Sequence, residues 1–315
     1  MITQEKFIIL ITFYIISWVI LVMVNVVKRR KGNQDYYYLY HDSKKEKRRQ
    51  YEVYLGKEIP QDIEERKKSF AIEIERKDWI PKLKKIYINF KNEQKRTPPS
   101  IKDKNLKAFS VKFTYNTQRI EGSTLTLKDT TLLLEDGLTP SNRPNSDIKE
   151  TEMHQKLFLE VMKQNYDLSL SLVKKWHKKL FEQTKPDIAG LFRDYDVKIS
   201  QSKFIPPSHT AVNLLVNGFF KWYNVNKKKL NPVELAALVH LKFVIIHPFG
   251  DGNGRTTRLM MNHVLNKFDY PLFDIDYGDR RSYYTALEKS QTKEDDLPFL
   301  QWFMKRYLKT HKNFL

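Results

Sequence analysis

The run His247-Pro248-Phe249-Gly250-Asp251-Gly252-Asn253-Gly254-Arg255-Thr256-Thr257-Arg258 gathers a titratable imidazole, a carboxylate, three glycines, an asparagine and two arginines within twelve positions. Glycines at 250, 252 and 254 let the backbone reach positive φ and let a ligand approach without meeting a Cβ. The apolar run Leu259 to Val264 follows at helical spacing. A helix opening near Arg255 turns its free N–H groups and the positive end of its dipole toward the same anion. Arg255 and Arg258 project from that first turn and can clamp two phosphate groups through bidentate bonds. Asp251 is a hard oxygen ligand suited to Mg²⁺ on a polyphosphate. His247 is the group that can take a proton near neutral pH. The run reads as a phosphate site with a base beside it.

Two other phosphate readings fit less well. A dinucleotide fingerprint needs G-x-G-x-x-G after a strand, whereas Gly250 to Gly254 is G-x-G-x-G after an apolar run that reads as a helix. No G-x-x-x-x-G-K-[ST] run occurs. A plain Gly-rich turn between two core helices requires neither the two arginines nor the histidine.

His247-x-Phe249-x-Asp251-Gly252-Asn253-Gly254-Arg255-x-x-Arg258 resembles the signature loop of the Fic family, without a departure across the motif. The resemblance implies a mostly α-helical domain with a short β-hairpin flap, over about residues 105–308, that transfers AMP from Mg²⁺-bound ATP to a Ser, Thr or Tyr hydroxyl of a target protein. By the same resemblance His247 is the base, Asp251 the metal ligand and Asn253 the holder of an α-phosphate oxygen. Arg255 and Arg258 then take the β- and γ-phosphates, and Gly252 and Gly254 complete the nucleotide site. Tyr284 would contact the adenine; Gln291 stands where the family often has Asn, which leaves the identity of the base open.

Upstream, a helix over 106–122 ends Thr117-Gln118-Arg119-Ile120-Glu121-Gly122, with Gly122 as its cap. A carboxylate at that end opposes the helix dipole. Thr117-x-x-x-Glu121-Gly122 resembles the family's inhibitory motif, [ST]-x-x-x-E-[GN]. That resemblance implies that Glu121 pairs with Arg258, takes it from the γ-phosphate and keeps the enzyme off. Between Ala189-Gly190-Leu191-Phe192-Arg193 and Pro206-Pro207, the residues Val197 to Phe204 predict a short hairpin with an unpaired edge, and the resemblance implies that it is the flap that aligns a target segment by strand addition.

The 315 residues carry a formal charge of +19 and no cysteine. Disulfides and thiolate metal sites are thereby excluded. The charge is spread along the chain, so it reads as a lysine-rich solvated surface and nucleic acid is not an expected partner. Residues 7–27 are apolar over the length of a membrane-spanning helix and are followed by Lys28-Arg29-Arg30-Lys31, which predicts a single-pass anchor with the Fic domain in the cytoplasm. Residues 34–97 predict a small α/β segment. It has a hairpin from Tyr36–Tyr40 and Tyr51–Gly56 around a basic loop, then helices interrupted near Pro81, and a turn or linker at Thr97-Pro98-Pro99-Ser100. Asn231-Pro232 opens the helix that delivers His247, and His240 on it reads as a packed core residue. Two other readings stay open on sequence grounds. Glu121 can orient a water that removes AMP from a modified protein, and the basic, tyrosine-rich N-terminal part can serve a non-catalytic module binding nucleic acid or anionic lipid. Pairing of two copies of the chain is a further open expectation.

Overall fold

Alternation along the tyrosine-rich segment builds a sheet. The computed structural model describes residues 23–43, 49–200 and 202–315. Strands β1 (Asn25–Lys31), β2 (Gln34–Ser43) and β3 (Arg49–Gly56) pair antiparallel in that order. Lys31 pairs with Gln34 across a two-residue turn in which Gly32 takes φ 62°, a conformation a Cβ would oppose. Val26, Leu39, Tyr51 and Leu55 pack with Phe70 and Ile74 of helix α1 (Ile63–Arg96). Tyr54 packs against Tyr36 and Tyr38 with tilted rings, and Arg29 lies over Tyr38.

The sequence predicts two of these strands; β1 is the addition. Its residues read as the end of a membrane span and its basic flank, yet in the strand the cations find carboxylates: Lys28 meets Asp35 at 2.7 Å and Arg29 bonds Glu52 at 3.0 Å. This corrects the predicted span over 7–27. Residues 25–27 belong to β1, and residues 7–22 lie outside the described residues. Among the described residues no helix is long and apolar enough to cross a membrane. The single-pass membrane placement, with a cytoplasmic Fic domain, is therefore withdrawn. The basic run 44–48 also lies outside the described residues. Nor does Pro81 interrupt α1, which runs through it. Burial of Trp79, Leu83 and Ile86 on either side of it outweighs the roughly 3 kcal/mol a proline costs inside a helix.

The described chain divides into two compact units between Asp78 and Trp79. The second is helical beyond α1: α2 (Pro99–Ile120), α3 (Leu127–Asp136), α4 (Asn145–Met162), α5 (Leu170–Phe181), α6 (Val212–Asn226), α7 (Pro232–Ile246), α8 (Asn253–Lys267), α9 (Arg280–Lys293) and α10 (Leu297–Thr310). Thr97 and Pro98 form a sharp turn, and Pro99 opens α2 at a position that needs no N–H donor.

Helices α7 and α8 form the centre. Asn231 caps α7 by accepting from the Val233 amide, and Pro232 starts its first turn. Leu235, Ala236, Val239 and Phe243 of α7 and Leu259, Met260, Met261 and Val264 of α8 are all fully buried. Nearly every position of both helices is buried, polar residues of α8 included, so the turn between these two is held by the core itself. Asn262 of α8 adds a polar tie: its amide donates to the Phe273 carbonyl at 2.9 Å and accepts from the Phe273 amide at 2.8 Å.

Where the sequence predicts a hairpin flap, the described residues between Leu191 and Ser208 contain no strand. One turn bond joins the Ser202 amide to the Ile199 carbonyl at 3.2 Å. Too few of its apolar residues face inward to fix a ladder, with Ile205 75% exposed. Arg193 fixes the segment instead. Its buried guanidinium donates to the carbonyls of His247, Tyr195 and Pro207 at 2.8, 3.1 and 2.6 Å.

Replacing Asn262 by Leu orphans the Phe273 amide and carbonyl. We expect a loss of about 1–3 kcal/mol for each unsatisfied group, read from the midpoint of denaturant unfolding. An unchanged midpoint would remove Asn262 from the forces that hold α8.

Candidate active site

His247 follows the last residue of α7 in the left-handed conformation, φ 51°. Its Nδ1 faces the Val244 carbonyl at 3.3 Å. A carbonyl only accepts, so the proton belongs on Nδ1 and Nε2 keeps its lone pair. Burial pushes the imidazole below its ordinary value and nearby Arg193 adds to this, while the Val244 bond, Glu121 and Asp251 oppose it. His247 is thus neutral at pH 7, as a base must be.

The loop after it is held from beneath. Phe249 is fully buried and stacks on His177 of α5, with ring centroids 3.8 Å apart. His177 accepts from the Gly190 amide at Nδ1, so its Nε2 donates to the Asp251 carbonyl at 2.9 Å. Asn253 closes the loop on itself, accepting from the Phe249 amide at 2.9 Å and donating to the Phe249 carbonyl at 2.8 Å. Gly252 takes φ 75°, and a Cβ there would run into the Phe181 ring. Helix α8 then begins, and its first-turn amides have no acceptor within the helix.

Arg258 points from α8 toward the end of α2 and is fully buried. Its Nη2 donates to Glu121 Oε1 at 2.5 Å and to the Thr117 carbonyl at 3.2 Å. Nε reaches the Thr117 hydroxyl at 3.2 Å, and Nη1 the Tyr283 hydroxyl at 3.4 Å. Tyr283 in turn bonds His240 Nε2 at 3.0 Å. Burial works against the guanidinium charge, yet Glu121 raises its pKa above the ordinary value. Gly254 makes room for this pair, since a Cβ there would collide with the Glu121 carboxylate. Gly122 ends the helix beyond Glu121 with φ 102°.

Asp251 is the carboxylate nearest the loop. Burial opposes its ionisation, but Arg255, Lys185 and the Gly252 amide hold it well below the usual carboxylate range. Among the described residues no cluster of three or more His, Asp or Glu side chains is placed to hold a metal. A divalent cation at Asp251 would therefore take its other ligands from phosphate and water. One hard, ionised, 40% exposed carboxylate fits Mg²⁺ in that mode.

The structure brings His247, Asp251, Gly252, Gly254, Arg258 and Glu121 to one place. Asn253 and Arg255 face inward here. Arg255 is 4% exposed, bonded to Glu150, to Gln118 at 3.2 Å and to both Asp251 oxygens. Tyr284 donates to the Ile120 carbonyl at 3.3 Å, and Arg280, stacked on its ring, reaches the same carbonyl at 3.1 Å. Gln291 is buried. His177, Arg193, Glu150 and Lys185 carry no role in the sequence reading. Glu150 had a signal: it shares the stripe of α4 that places His154, Leu157 and Val161 in the core, where a carboxylate must have a partner.

Residues 167–265 match the model of the Fic/DOC family. The fold is that of a Fic domain. The matched stretch includes the loop from His247 to Arg258 but not Glu121. Protein adenylyltransferase Fic of Drosophila melanogaster is 33% identical over 192 residues, which is 60% of this chain and 38% of the fly protein. The homologue from Drosophila yakuba is 32% identical over 192 residues. The chain thus spans well under half the length of these relatives. A Fic-domain-containing signalling protein from Bacteroides thetaiotaomicron superposes with a TM-score of 0.67 at 28% identity, covering 74% of this chain and 95% of its own. Fic-1 from C. elegans, at 22% identity and a TM-score of 0.66, shares the fold.

Two outcomes follow from the charges buried in this fold. Glu121→Gln leaves the buried Arg258 charge without its carboxylate. The expected destabilisation is below the ~3–5 kcal/mol of fully buried pairs, because the Glu121 side chain is 24% exposed. A melting temperature equal to wild type would contradict the pairing.

The second concerns pH. Burial pushes His154 and His240 down to about 3, and His177 and His311 down to about 4. The unfolded chain binds these protons below about pH 6.5 and the folded chain does not, so stability falls as pH drops through that window. Asp274, pushed up to about 7 by burial, works in the opposite direction and offsets about one of the four. We expect a loss of at least about 2 kcal/mol between pH 7 and pH 5.5 in urea unfolding. Stability that is flat or rises on acidification would refute it.

Proposed function

We propose that this protein is a protein adenylyltransferase, moving AMP from ATP to a Ser, Thr or Tyr hydroxyl of a protein, and that Glu121 holds it off. The observation that carries the reading is the shared location of three things: a neutral imidazole with its Nε2 lone pair free, the first-turn amides of α8, and an arginine held by a carboxylate from another helix. The fly relatives named protein adenylyltransferase Fic support it over the matched part of the chain.

His247 Nε2 takes the proton from the target hydroxyl, whose oxygen then attacks the α-phosphorus of ATP. The bond from the α-phosphorus to the bridging oxygen breaks, and diphosphate leaves. Amides of the loop and of the α8 first turn offset the charge that builds on the phosphoryl oxygens. Arg258, once parted from Glu121, takes the γ-phosphate. The resemblance assigns Asn253 and Arg255 to the α- and β-phosphates, which requires each to exchange a partner at Phe249 or Asp251. Mg²⁺ on Asp251 would supply charge neutralisation on the phosphates and help diphosphate depart. Tyr284 and Gln291 are assigned to the base.

A second reading has an observation of its own. The Glu121 carboxylate lies against Gly254 of the loop, so with a modified target bound it could orient a water that releases AMP. Release of AMP from an adenylylated protein, abolished in Glu121→Gly, would identify that direction.

The test of the main reading uses ATP labelled at the α-phosphate. Glu121→Gly should label itself or added protein at least about tenfold more than wild type, equivalent to about 1.4 kcal/mol of relieved inhibition. Adding His247→Ala should return labelling to background. No increase in the single variant removes the inhibitory role of Glu121, and undiminished labelling in the double variant removes His247 as the base.

A further inference from the structure

Lys185 has no part in the scheme above, yet it occupies the metal ligand. Its Nζ lies 2.6 Å from Asp251 Oδ2 and 3.1 Å from Glu150 Oε1. Arg255 completes a square of charges, bonding Glu150 and both oxygens of Asp251. Two carboxylates face two cations, so the square is formally neutral. Asp251 Oδ1 also accepts the Gly252 amide at 2.5 Å. The carboxylate that would bind a divalent cation has already spent both oxygens.

Mg²⁺ binds carboxylate oxygen at about 2.0–2.1 Å and tolerates little distortion of its octahedron. An ammonium 2.6 Å from that same oxygen stands where the ion and its water shell would be. One cation must leave. Arg255 is 4% exposed, tied to Glu150 and Gln118, and cannot leave without stranding a buried carboxylate. The Lys185 side chain is 37% exposed on a flexible four-carbon stem, beside the Phe181 ring.

We propose that Lys185 is a resident counter-ion that excludes divalent cations from Asp251 until a nucleotide arrives, whose phosphates then draw the ammonium away and bring the metal in with them. The inference rests on Asp251 serving a divalent cation in the proposed transfer. Lys185 acts through Asp251, so it is a positioning residue. Metal and nucleotide would enter together, and the free protein would bind divalent cations weakly.

The probe is Mn²⁺ alone, added to the full chain without nucleotide, with free Mn²⁺ followed by electron paramagnetic resonance. Lys185→Gln should bind Mn²⁺ at least tenfold more tightly than wild type. Lys185→Arg, which keeps the charge, should stay as weak as wild type. In Lys185→Gln combined with Asp251→Asn the gain should vanish. Should the glutamine variant fail to fold, Lys185→Met keeps the stem against Phe181 and takes its place. Binding no tighter than wild type in the uncharged variant overturns the proposal, as does a gain that survives Asp251→Asn. The readout is metal occupancy, so a failure of AMP labelling in Glu121→Gly bears on the transferase reading and leaves this one untouched.

Discussion

A guanidinium with no access to water must be compensated where it stands, and Arg258 is in that position. The Arg258 side chain is 1% exposed, on a helix that is itself core, and its carboxylate comes from the last turn of α2. Desolvation of this size is tolerated only with close partners. Glu121, Thr117 and Tyr283 supply them. The rest of the unit serves that requirement: α2 must end where it does, Gly254 must lack a side chain, and α8 must not shift. In the proposed transfer a γ-phosphate would give Arg258 the same compensation as Glu121, so one buried cation would distinguish two states.

The loop beside it is rigid for a different reason. Three side chains from outside or within it bond its backbone: His177 holds the Asp251 carbonyl, Asn253 the Phe249 peptide groups, and Arg193 the His247 carbonyl. Each carbonyl and amide of a buried turn needs such a partner. The consequence is that a glycine-rich stretch, flexible in principle, holds His247 in a fixed direction. The same Arg193 reaches Pro207, so the irregular segment before α6 is tied to the base it would serve.

What the sequence discloses depends on how local the signal is. The loop from His247 to Arg258 is legible because imidazole, carboxylate, glycines and arginines lie within one turn of chain and have few other uses together. Asn231-Pro232 and Gly122 are legible because caps depend on adjacent residues. Glu121 stands out only beside the loop. Strand β1 is hidden because Val26 and Val27 continue an apolar run and Lys28 to Lys31 form a basic one, while what makes them a strand is the antiparallel ladder to β2, from Asn25–Tyr40 to Lys31–Gln34. The flap misleads in the opposite way: alternation is present between Val197 and Phe204, but the described residues there form no strand. Lys185 and Glu150 lie 66 and 105 positions from the loop residues they touch. Only the fold joins them.

His247 also carries a thermodynamic tension. The position just past a helix, with positive φ, favours glycine, and any residue with a Cβ gives up about 1 kcal/mol there. Evolution toward greater stability would push this site toward glycine and away from imidazole. A histidine at φ 51° therefore leaves the chain less stable locally than its own backbone permits, and with His247 as the base of the proposed transfer, chemistry and folding would oppose each other at this residue.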